Sequence, residues 1–97
     1  MDLAAFRATL EGDAPTLPSL ALQALWHEAR GNWDAAHDLC NQAGSTDGDW
    51  VHAYLHRVAG DLSNADYWYR RAARTRPEGT TEQEWSAIAS ELLERAR

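Results

Sequence analysis

The stretch His27-Glu28-Ala29-Arg30-Gly31-Asn32-Trp33-Asp34-Ala35-Ala36 returns 29 residues later as His56-Arg57-Val58-Ala59-Gly60-Asp61-Leu62-Ser63-Asn64-Ala65. In each copy a glycine closes a helical run and an Asn or Asp follows that can cap the next one. Glycine supplies the left-handed backbone that reverses a chain after a helix, and a short polar side chain accepts the free N–H groups of the following first turn. Each copy therefore reads as the turn of a helical hairpin. No segment shows the sustained period-two alternation of a strand, so the expected fold is all-α.

Outward from these turns the pattern divides into four parts of a single domain spanning 1–97. A first helix over 1–12 puts Leu3, Phe6 and Leu10 on one face, with Asp2 as cap and Gly12 as stop. Pro15 and Pro18 make the most linker-like stretch and introduce the first hairpin, 17–44, whose opening helix is apolar on most sides and should be the buried central one. Its second helix turns Ala36, Leu39, Cys40 and Ala43 inward. Gly44 to Gly48 reads as a loop, Asp49 as the next cap, and the second hairpin spans 49–77. Its helices should bury Val51, Tyr54, Leu55 and Val58, then Ala65, Trp68, Tyr69, Ala72 and Ala73. Pro77 and Gly79 break the chain again, and Thr81 with Glu84 reads as a capping box opening a C-terminal helix, 80–97, that buries Trp85, Ile88, Ala89, Leu92 and Ala96.

Composition limits the function classes. An apolar share of 44% and five tryptophans are those of a packed globular chain of 97 residues. The net charge of −6 disfavours nucleic acid and anionic lipid, both of which require a basic surface. One cysteine, Cys40, allows no internal disulfide and no thiolate cluster, and its apolar neighbours mark it as a small buried hydrophobe. No run approaches the ~20 apolar residues of a membrane span, and the N-terminus lacks a signal-peptide pattern, so the expected location is the cytoplasm with no membrane contact.

Aligning the two copies superposes Ala36 on Ala65 and Ala43 on Ala72. In the second copy Ala65, Tyr69, Ala72 and Pro77 have the spacing of the second helix of a tetratricopeptide repeat, which the chain resembles over about residues 20–77. The period of 29 differs from that family's 34, and its Trp-x-x-Leu-Gly-x-x-Tyr signature is missing; Sel1-type repeats are similar in style. The tract from Trp50 through Tyr67, Trp68 and Tyr69 also resembles a group of small, mainly bacterial single-domain proteins, a likeness that implies no activity. Two repeats fall short of the three or so that usually stabilise such a stack, so the terminal helices are expected to act as caps. The resemblance implies an interaction module in which the first helix of each hairpin lines a groove for a protein or peptide partner, with Trp50, Tyr54 and Arg57 in contact. Homodimerisation is a further expectation.

His52 and His56 are four residues apart on one helix, a spacing that a divalent metal can bridge, and His27 occupies the place of His56 in the first copy. The alternative function is therefore small-molecule or metal binding at His27, His52 and His56, set against the plainer reading that these rings fill packing positions. Tyr67, Arg70, Arg71 and Arg74 form a basic face, with Arg76 just beyond, expected to meet the acidic residues of the last helix. No phosphate loop, nucleophile elbow or ordered triad is present, so neither catalysis nor a cofactor is expected.

Overall fold

A computed structural model describes residues 1–96. Six α-helices and one short 3₁₀ turn account for its regular structure, with no strand among the described residues. The helices are α1 (Leu3–Ala8), α2 (Leu20–Ala29), α3 (Trp33–Ala43), α4 (Thr46–Val58), α5 (Leu62–Arg71) and α6 (Thr81–Arg95). None of them is long and apolar enough to cross a membrane.

The two copies of the repeated turn are built alike. After α2, Gly31 adopts φ +82° and donates to Glu28 O, while Asn32 N donates to His27 O at 2.9 Å. After α4, Gly60 adopts φ +84° and donates to Arg57 O, while Asp61 N donates to His56 O at 2.9 Å. The side chains of Asn32 and Asp61 then accept from Ala35 N and Asn64 N, starting α3 and α5. Three residues join each pair, which forces antiparallel contact between α2 and α3 and between α4 and α5, while α3 also lies against α4.

A third turn of this form ends α5, where no glycine is available. Arg74 N donates to Tyr69 O and Ala73 N to Arg70 O, with Ala73 itself left-handed at φ 58°. This ends α5 at Arg71 and leaves Ala73 exposed rather than inward.

Several helix starts differ from the sequence reading. Ser45 caps α4 through Gly48 N, so Gly44–Gly48 is largely the first turn of that helix. The reason is close approach: a Cβ at Gly48 would stand 2.6 Å from Ala43 Cβ, so glycine lets α4 leave α3 tightly. The capping box of α6 is Thr80 with Gln83, one residue early, and Val58 and Ala96 face outward. Ser19 caps α2, its hydroxyl accepting from Leu22 N.

One core joins all six helices, from Phe6 on α1 through Leu22, Leu25, Cys40, Val51, Leu55 and Tyr69 to Ile88 and Leu93. α6 lies across α2 and α4, the first helix of each pair. Trp85 anchors it, with its indole N–H on Leu25 O at 3.0 Å and its ring stacked on Phe6 at 5.6 Å. The 3₁₀ turn Thr9–Glu11 that follows α1 is in turn latched to the end of α2. Trp26 Nε1 donates to Thr9 Oγ1, and Arg30 donates to the carbonyls of Leu10 and Gly12.

Candidate metal centre

The residues expected to line a peptide groove lie beneath α6. Arg57 is bonded to Glu84 at 2.9 Å and to the carbonyl of Gly79, and the Tyr69 hydroxyl donates to the same carboxylate at 2.6 Å. The Tyr54 hydroxyl donates to Glu28 at 3.2 Å, and burial pushes the acidity constants of both groups up. Trp50 is 6% exposed, its ring covered by the Arg74 guanidinium at 3.3 Å from the centroid. The expected meeting of basic face and last helix occurs at Arg74 and Glu91, 2.7 Å apart, while Arg71 and Arg76 pair with Asp49 and Asp66.

His52 and His56 emerge from the opposite side of α4. One helical turn apart, they bring their Nε2 atoms to 3.1 Å. The third histidine is His37 from α3. These three offer ligand atoms within 4.8 Å of one another. His27 is not among them; it sits in the last turn of α2, edge-on to Trp26 at 5.1 Å. The correction has a simple cause. In the 29-residue alignment the partner of His37 is Asp66, so the repeat gives no sign of it, whereas α3 lying against α4 places its ring directly over the other two.

Indoles fix all three rings. Trp33 stacks on His37 at 4.9 Å and meets His56 edge-on at 5.7 Å, held by its own N–H on Leu55 O at 2.8 Å. Trp68 from α5 lies flat on His52 at 3.9 Å. The amide of Asn41, one turn beyond His37, reaches its Nδ1 at 3.4 Å. The spacing of Trp33, His37 and Asn41 at successive fours on α3 is the sequence signal that could have revealed this site.

Burial, together with the neighbouring His37 and His56, holds the His52 imidazole down at about 4. His56 is lowered too, by burial and by His37, against the opposing pull of Asp61. Both rings are therefore neutral at pH 7, the form whose lone pairs bind metals. Cys40 is no competitor as a ligand, because burial and then Asp49 push its thiol up to about 12.

A cavity of about 830 Å³ lies elsewhere, between the end of α5 and α6. Several of its polar groups are already engaged: Arg74 with Glu91, Glu84 with Arg57 and Tyr69, Thr80 with Gln83. The histidine cluster is the better candidate because its donors converge on one point. Compared with protein-family models, curated proteins and solved structures, the chain has no significant match.

Proposed function

We propose that this protein binds a divalent transition-metal ion through His37, His52 and His56. The convergence of three imidazoles within 4.8 Å carries the reading. Zinc–nitrogen bonds of 2.0–2.1 Å in a tetrahedron place donors about 3.3–3.4 Å apart. The His52 and His56 nitrogens, at 3.1 Å, are nearly there, and the widest separation has to close by up to about 1.4 Å. An all-imidazole set selects borderline ions such as zinc, nickel, cobalt or copper over magnesium and calcium, which require oxygen donors.

The ion would tie α3 to α4 and so stabilise the fold. At a free concentration 100-fold above Kd the gain is ~2.7 kcal/mol, which for a domain of this size raises Tm by roughly 10–20 °C. Zinc titration of metal-stripped protein, followed by calorimetry, tests this. His37→Ala should remove the shift and His27→Ala should keep it; an equal shift in both would refute the assignment.

The finer fold reading is that α2–α3 and α4–α5 are two tetratricopeptide-like hairpins with α1 and α6 as flanking helices. Its support is the matching backbone of the turns at Gly31 and Gly60. An interaction role belongs to the same reading, and its partner would meet Val58, Leu62 and Tyr67, which are 40–45% exposed, rather than Trp50, Tyr54 and Arg57.

A further inference from the structure

We propose that the metal held by His37, His52 and His56 takes its fourth ligand from outside the chain, and that this ligand is a small monodentate anion. The inference rests on the metal-binding reading and adds a property which that reading does not require.

The first argument is ligand number. Zinc and cobalt bound by imidazole are four-coordinate, and three protein donors leave one position to be filled. Among the described residues the group contains three members, with no cysteine, carboxylate or fourth histidine joining it. Cys40 is buried and its thiol is held protonated.

The second argument is charge. Three neutral imidazoles do nothing to offset the two positive charges of the ion. The walls are the indoles of Trp33 and Trp68, which carry no charge, and the Trp33 N–H is occupied by Leu55 O. The carboxylate felt at the cluster is Asp61, acting on His56 from the exposed cap of α5. Between rings this deeply packed, an unbalanced dication is costly, and the least expensive remedy is an anion bound directly to it.

The third argument is access. His52 is 4% exposed, whereas His37 is only partly buried, so the cluster opens toward solvent along α3. Behind this opening the Arg71 guanidinium, itself paired with Asp49, lies over the Trp68 ring at 5.1 Å from its centroid, so no uncompensated carboxylate faces the cluster from that side. Were water the incoming molecule, a bound zinc ion would lower its acidity constant toward 7, and hydroxide would supply the anion as the pH rises past neutral.

Cobalt(II)-loaded protein distinguishes the possible outcomes, because its visible bands report both loading and the fourth ligand. Sodium azide should shift the bands saturably at millimolar concentration, with sodium perchlorate, whose anion does not coordinate, leaving them unchanged at equal ionic strength. Asp61→Asn should respond to azide as the parent does. Cobalt bands that azide leaves unchanged would overturn this inference while sparing the three-histidine assignment. Bands altered by Asp61→Asn would show that the chain itself supplies the anion, and would overturn it too. Absence of any cobalt band would overturn both.

Discussion

The indole of Trp68 lies flat on the imidazole of His52, centroids 3.9 Å and planes 13° apart. The contact removes one face of the ring from water, and His37 and His56 crowd its other sides. A protonated ring would gain a cation–π contact worth ~0.5–1 kcal/mol on Trp68, whereas burial and the neighbouring His37 and His56 hold the imidazole down at about 4.

Metal-free protein should therefore lose stability in acid over a defined window. The folded value for His52 lies below the ordinary 6.5, so the unfolded chain binds the extra proton first as the pH drops. Stability should be level above pH 6.5 and fall between 6.5 and 4, by a few kcal/mol in all. His56, lowered as well with Asp61 pulling the other way, shares this titration. Urea midpoints in chelator across that range measure it, and His52→Gln should flatten the slope.

The left-handed residues Gly31, Gly60 and Ala73 predict opposite effects. A Cβ at Gly31 or Gly60 meets nothing within 4 Å, so Gly31→Val and Gly60→Val report the backbone alone and should each cost ~1 kcal/mol or more. Ala73 already carries that strain at φ 58°. Ala73→Gly should raise stability by up to about 1 kcal/mol, seen as a Tm several degrees higher.

Arg57→Ala strands the Glu84 carboxylate, which is 5% exposed, with Tyr69 as its remaining hydrogen-bond donor. The expected loss is about 3 kcal/mol. Adding Glu84→Gln should restore more than half of it. Denaturation midpoints for the two single variants and the double variant close this cycle.

Deleting residues 80–97 removes Trp85, Ile88, Ala89, Leu92 and Leu93 from the core and uncovers the face formed by α2 and α4. The shortened chain should aggregate or lose its cooperative thermal transition. A transition as sharp and as high as that of the parent would disprove a structural role for α6.

Hairpin turns and buried faces were legible in the sequence because they depend on local chemistry. Gly31, Asn32, Gly60 and Asp61 carry their conformations in their own residue types, and periodicity marks the inner faces of α2 and α6. The start of α4 escaped for a different reason. Gly48 is helical there because Ala43 stands against it, a contact between elements that composition reads as a loop. The metal-site candidates divide in the same way. His52 and His56 share a helix and could be paired by counting, whereas His37 joins them only through the packing of α3 on α4. Trp50, Tyr54 and Arg57 looked available because a sequence does not reveal that its last helix will fold back over them.

That last helix is a covalently tethered occupant of the face formed by α2 and α4. Residues 72–80 connect α6 to the end of α5, a leash short enough for an effective concentration in the millimolar range at the face of α2 and α4. Any free peptide seeking that face must displace a segment that is covalently present and already seated through Trp85 and Glu84. Its apparent affinity is reduced by the full strength of that intramolecular docking.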